Sequence, residues 1–104
     1  MINLTKDADK VLCYVYYSYL DKVELGNSKL SSRYFGMDFI NSLEDLSHWH
    51  REDLTLTLNE LNQKNLIQMN VAGTFNLTES GIIYMENRFK NGLKDVLTYV
   101  SLFK

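Results

Sequence analysis

Asp53-Leu54-Thr55-Leu56-Thr57-Leu58-Asn59-Glu60-Leu61-Asn62-Gln63-Lys64-Asn65-Leu66-Ile67, continuing as Gln68-Met69-Asn70-Val71-Ala72-Gly73-Thr74-Phe75-Asn76-Leu77, is the stretch on which the fold turns. Leu54, Leu58 and Leu61 recur at helical spacing, which gathers them on one side of a helix. Asn65 suits the left-handed backbone conformation that ends a helix, and Leu66-Ile67 opens an extended run. Residues 67–70 and 74–77 then pair antiparallel. The reversal falls at Val71-Ala72-Gly73, because glycine takes positive φ without a Cβ clash.

The next residues are Leu77-Thr78-Glu79-Ser80-Gly81, in which Thr78 is a good N-cap for a following helix. Leu54-x3-Leu58-x2-Leu61-x4-Leu66-Ile67 followed by this run resembles the second half of a winged helix-turn-helix domain. That family shows a recognition helix, a wing and a leucine-threonine-acidic-x-glycine opening to the next helix. With the upstream helices the resemblance covers residues 5–91. Within the family the chain is similar to small stand-alone proteins of the YjcQ type, from Gram-positive bacteria and their phages. That likeness lies in Val11-Leu12-Cys13-Tyr14-Val15-Tyr16-Tyr17, Phe35-Gly36 and the leucine-threonine-acidic-x-glycine run. The resemblance implies a mainly α (α+β) fold, with a three-helix core, a small antiparallel β-hairpin wing and C-terminal helices.

The 104 residues suit a single domain, 1–104, built as one layer of helices on a small sheet. An apolar share of 45% with 23% charged residues is that of an ordinary globular protein, and no apolar run reaches membrane-spanning length. The start, Met1-Ile2-Asn3-Leu4-Thr5-Lys6-Asp7, lacks the basic and apolar regions of a secretory signal. The single cysteine, Cys13, excludes an internal disulfide and fits a reducing cytoplasm. Buried in the first helix it is a small core side chain, a better reading than a redox sensor. Proline is absent, as befits a mostly helical chain.

Upstream, Ala8, Val11, Leu12, Val15, Tyr16, Tyr19, Leu20 and Val23 make one continuous helical face over residues 6–24, with Thr5 as N-cap and Asp7 and Asp9 at the positive end of the dipole. The tyrosines 14, 16, 17 and 19 read as packed core rather than a platform for stacking bases. Leu25-Gly26-Asn27-Ser28 stops the helix. Lys29-Leu30-Ser31 is expected to join the sheet as its third strand with Leu30 buried, and residues 31–36 to form one helical turn. Phe39, Ile40, Leu43 and Leu46 then predict a helix over 38–46. Ser47-His48-Trp49-His50 is the turn into the third helix, with Ser47 its cap and Trp49 an anchor between helices. His48-x-His50 invites a zinc reading, but such a site needs three or four ligands and a single cysteine lies elsewhere. No metal or cofactor is expected. Residues 79–89 place Ile82, Met85 and Phe89 on one side, and after Asn91-Gly92 a terminal amphipathic helix carries Leu93, Val96, Leu97, Val100 and Phe103. Either it folds back on the core or it packs on a second copy as a homodimer contact.

The resemblance implies a transcriptional regulator that reads double-stranded DNA with helix 51–64. With the leucines inward, Arg51, Glu52, Thr55, Leu56, Asn59, Asn62 and Gln63 face outward, and these include residue types that read base edges. Arg51, Thr55 and Asn59 are the candidate readers, and Lys29 and Arg33 the candidate phosphate contacts. Lys22, Arg88, Lys90, Lys94 and Lys104 supply further positive charge. Against this, the chain carries net charge −2, helix and flanks hold one more acid than base, and residues 66–77 contain no charged side chain, whereas a DNA-gripping wing normally carries arginine or lysine. A protein-interaction adaptor that does not bind DNA is therefore the alternative. An enzyme is not expected, for there is no nucleophile paired with a base, no glycine-rich phosphate loop and no ligand cluster.

Overall fold

The structure, a computed structural model, describes residues 3–43, 46, 48–70 and 73–102. Its elements in chain order are α1 (Lys6–Glu24), α2 (Lys29–Ser32), β1 (Tyr34–Phe35), α3 (Met37–Ser42), α4 (Arg51–Gln63), β2 (Ile67–Met69), β3 (Phe75–Leu77), α5 (Glu79–Arg88) and α6 (Leu93–Ser101). The fold is α+β and mainly helical, with a small antiparallel sheet of order β1-β3-β2. Among the described residues no helix is long and apolar enough to cross a membrane.

Helix α1 starts where the sequence places it, with the Thr5 side chain accepting the Ala8 N–H at 3.2 Å. Every residue from 11 to 16 is buried. Six consecutive positions cover more than a full turn, so α1 is enclosed rather than one-faced. It is covered by α4, α6 and α2, which pack along it. At its start, the Thr5 N–H and hydroxyl donate to the two carboxylate oxygens of Glu60 at 2.9 and 2.8 Å, pinning α1 to the end of α4.

Asn65 takes φ +61° and ends α4 as expected, and the Leu66 N–H donates back to the Leu61 carbonyl. Strand β2 follows at once, pairing with β3 in the register Ile67↔Leu77, Gln68↔Asn76, Met69↔Phe75. Gly73 supplies the positive φ in the reversal, at +81°, while Val71 and Ala72 lie outside the described residues. The leucine-threonine-acidic-x-glycine run has a direct physical account. Leu77 is buried; Thr78 caps α5 by accepting the Gly81 N–H at 2.9 Å and donates its hydroxyl to the Asn65 carbonyl at 2.6 Å. The first turn of α5 thereby rests on the Leu66 backbone, and a Cβ on Gly81 would meet the Leu66 oxygen at 2.2 Å.

Between α1 and α4 the expected order is corrected. Lys29-Leu30-Ser31 is not a strand: Ser28 caps it by accepting the Ser31 N–H, and the Ser32 hydroxyl donates to the Ser28 carbonyl, which closes a helical turn. Leu30 is 66% exposed rather than buried. The strand comes after the turn, at Tyr34–Phe35, paired as Tyr34↔Asn76 and Phe35↔Phe75. The helix expected over 38–46 ends at Ser42, whose hydroxyl turns back onto the Phe39 carbonyl at 2.6 Å. Leu46 is buried from the loop that follows. Ser47 lies outside the described residues; His50 occupies the cap position of α4 and makes no side-chain cap hydrogen bond.

Helix α6 folds back on its own chain. Val96 and Val100, two of the residues predicted for a homodimer contact, are buried in the common core of their own chain. Leu93 is half-buried and Leu97 half-exposed; Phe103 lies outside the described residues. The closure is also polar. Arg88, at the end of α5, donates from both terminal nitrogens to the carboxylate of Asp9 in α1, and the Tyr99 hydroxyl of α6 donates to Asp9 Oδ2 at 3.0 Å. Three helices thus meet on one carboxylate.

Gly81→Ala is expected to destabilise by about 1–3 kcal/mol, since the added methyl meets backbone that cannot move alone; urea unfolding measures it. Arg88→Met is expected to lose about 1–3 kcal/mol by stranding Asp9. A double-mutant cycle with Tyr99→Phe should show coupling, and additivity would contradict the shared carboxylate.

Candidate nucleic-acid interface

Arg51, Thr55 and Asn59 are each one turn apart on α4 and all three are exposed, so the structure brings these candidate readers into one row. The row begins at the helix N-terminus, where Glu52 and Asp53 occupy the first turn. Those carboxylates complement the helix dipole, and they offset the charge of Arg51. Leu56, between Thr55 and Asn59 in the exposed face, is 67% exposed. Thr57, by contrast, is buried, with its hydroxyl on the Asp53 carbonyl at 2.8 Å.

Asn62 is not available for base reading. Its Oδ1 accepts the Met69 N–H at 3.0 Å, and Met69 lies on β2, an outer strand of the sheet. In the β2–β3 ladder the Met69↔Phe75 pair is flanked by the Asn70 N–H bonded to the Thr74 carbonyl, so the Met69 N–H points away from β3. Asn62 therefore closes a strand edge. Lys22 does the same on the opposite edge, donating Nζ to the Tyr34 carbonyl of β1 at 3.2 Å while sitting 3.9 Å from the centre of the Phe35 ring. Burial lowers the pKa of Lys22 from its ordinary value. These contacts close exposed edges that would otherwise invite pairing with another chain.

The basic residues proposed for phosphate contact separate into two groups. Arg88 is held by Asp9 and lies against the rings of Phe89 and Tyr99, at 4.9 and 4.7 Å from their centres. The hydrogen bond to Asp9 raises its pKa further, and it is a structural cation. Lys22 is likewise engaged. Arg33 is half-buried, its Nε enclosed without a hydrogen-bond partner and its carbonyl accepting the Leu77 N–H at 2.9 Å. Lys29 is exposed on α2. Helix α2 packs on α1 and β1, whereas α4 packs on α1 and β2, so Lys29 and Arg33 are positioned by contacts separate from those that position the α4 row. The hairpin itself offers amides: Asn70 Nδ2 donates to Asn76 Oδ1 at 3.3 Å.

His48, Trp49 and His50 line a shallow hollow with Asp7, Lys10 and Asp53, and no metal-binding group of three or more ligands occurs among the described residues. Trp49 is half-buried against the core, as an anchor, with Lys10 Nζ 6.0 Å from its ring centre. Tyr14, Tyr16 and Tyr19 are packed in the core, and Tyr16 stacks with both Tyr19 and Phe89.

The titratable groups of the enclosed helix set an alkaline limit. Burial pushes the Cys13 thiol from 9.0 up to about 12 and the Tyr16 phenol from 10.0 up to about 12, and raises Tyr19 as well. Folding keeps these groups protonated where the unfolded chain would ionise. Their contribution is therefore complete below pH 9 and is lost as pH rises toward 12. Stability should fall above pH 9 by roughly 1.4 kcal/mol per pH unit for each group ionised only in the unfolded chain. Urea midpoints across that range check this, and Cys13→Ala should flatten the first part of the slope. Comparison with protein-family models, with curated proteins and with solved structures finds no match to this chain.

Proposed function

We propose that the chain is a winged helix-turn-helix domain that binds double-stranded DNA through α4, as a small cytoplasmic transcriptional regulator. The observation that carries the reading is the coincidence of topology and exposure. Helix α1, the single turn α2, strand β1, helices α3 and α4 and the β2–β3 hairpin follow one another, with β1 pairing to β3 in the order β1-β3-β2. A helix leading directly into a small antiparallel hairpin is what the sequence resemblance implies for a reading helix and its wing. In such a frame α4 is the reading helix, and its solvent side carries Arg51, Thr55 and Asn59 in one row. Arginine matches guanine O6 and N7, asparagine matches adenine N6 and N7, and threonine meets the thymine methyl.

Phosphate contact in this reading falls to Lys29, Arg51 and Lys64, with the partly enclosed Arg33 behind them. The uncharged hairpin contributes amide hydrogen bonds at most. Affinity is then modest and the salt dependence shallow, because few counterions are released.

A second reading is favoured by one observation: the outward side of α4 has the apolar Leu56 at its middle, 67% exposed, and the hairpin that follows the helix carries no charge. An exposed leucine ringed by polar side chains suits a protein partner, and the domain would then act as an adaptor.

Fluorescence anisotropy of a labelled duplex, titrated at low and at physiological salt, separates the two. The DNA reading expects binding that weakens with salt. It also expects Asn59→Ala to lower affinity for the preferred sequence by about 1–3 kcal/mol without changing the thermal midpoint. Absence of binding at low salt would overturn it. In that case Leu56→Glu, on an exposed position that leaves the fold intact, is the variant that should abolish capture of a protein partner.

A further inference from the structure

A half-open groove of about 380 Å³ runs between α1, α3 and α6, away from the outward face of α4 and the hairpin. The rings of Tyr14, Tyr17 and Phe39 and the aliphatic Leu97 and Val100 form its walls. Such a volume, lined by aromatic and aliphatic groups with few polar ones, is that of a small-molecule site.

Among the described lining residues the one full charge is negative, and the other polar side chains are hydroxyls, which accept as well as donate. Asp21 is the charged residue of the lining, and no lysine or arginine lies among the described lining residues. The hydroxyls of Ser42 and Ser101 donate to the Phe39 and Thr98 carbonyls at 2.6 and 2.7 Å, which leaves their oxygens with lone pairs to offer. A cation seated over one of the lining rings would gain from its quadrupole as well. With one carboxylate and no basic side chain among its described lining residues, the groove favours a positive charge over a negative one.

Asp21 has a second peculiarity. It stands in the last turn of α1, at the negative end of the helix dipole, where a carboxylate is disfavoured. Among the described residues it forms no ion pair, and its neighbour Lys22 turns to the Tyr34 carbonyl instead. The acid thus carries a local electrostatic cost, with no ion pair among the described residues to offset it.

The geometry points to a binding site for a small hydrophobic organic ammonium ion, with the apolar part between Tyr14, Tyr17, Phe39 and Leu97 and the nitrogen at Asp21. Aromatic faces attract the cation and the carboxylate fixes its position, whereas a hydrophobic anion of the same shape is repelled. The site shares no residue with the α4 row and stands or falls independently of DNA binding.

Three ligands with one naphthyl ring and different charge make the test: naphthylmethylammonium, naphthylmethanol and naphthoate, titrated by calorimetry with amide-shift mapping. The ammonium is expected to bind one per chain with shifts at Tyr14, Ser18, Phe39 and Leu97. The alcohol should bind at least about tenfold more weakly, the worth of one hydrogen bond to a charged group, and the naphthoate not detectably. Asp21→Asn, at an exposed position, should erase the preference for the ammonium over the alcohol while leaving the chain folded, with a thermal midpoint equal to or slightly above that of the parent because a carboxylate leaves the negative end of the helix dipole. Tyr17→Leu, which keeps the bulk and removes a ring face, should weaken the ammonium more than the alcohol. Equal binding of all three ligands, no ammonium binding, shifts elsewhere, or a preference that survives Asp21→Asn would each overturn the assignment.

Discussion

Burial of α1 on all sides is the constraint from which the rest of the structure follows. Residues 11–16 have no solvent side, so one layer of packing cannot cover them, and helices must approach from more than one direction. Helix α4 supplies one cover, α6 another and the short α2 a third. The terminal helix is thus part of the core of its own chain. Its apolar positions Val96 and Val100 answer to the second apolar side of α1, where Cys13 and Tyr14 are enclosed.

Polar contacts decide how those covers are held. Asp9 gathers Arg88 and Tyr99, and Glu60 gathers the backbone and hydroxyl of Thr5. Each engages a charge on the assembly of helices, and that changes the surface. Arg88 and Lys22 contribute to the count of basic residues, yet neither presents its charge to an outside phosphate. What remains for an external partner includes a short polar row on α4, exposed cations such as Lys29 and Lys64, an uncharged hairpin and a groove whose one described charge is Asp21.

The legible parts of the site were those set by local periodicity and local chemistry. The row of Arg51, Thr55 and Asn59 follows from the leucines placed opposite, and Thr78 marks the start of α5 as its cap, whereas the close approach of Gly81 to the Leu66 backbone is visible only in the fold. Asn62 was misplaced because its partner, the Met69 N–H, is exposed or enclosed according to strand order, which periodicity does not encode. Arg88 counts in the sequence as positive charge like any other, and its pairing is not legible there because Asp9 lies at the far end of the chain. The order of the short elements near residue 30 was misread for a different reason: a serine cap and a serine back-bond at Ser28 and Ser32 outweigh the extended preference of a three-residue segment.

By itself the sequence determined the long helices, the end of α4 at Asn65, the hairpin and the capped start of α5, because each depends on residues within a few positions of one another. The tertiary structure decided which chain covers α6, which basic side chains keep their charge at the surface, and which edges of the sheet are closed. Those outcomes depend on pairs such as Asp9 with Arg88 and Asn62 with Met69, whose meeting is set by the packing of helices around α1 and leaves no local mark in the chain.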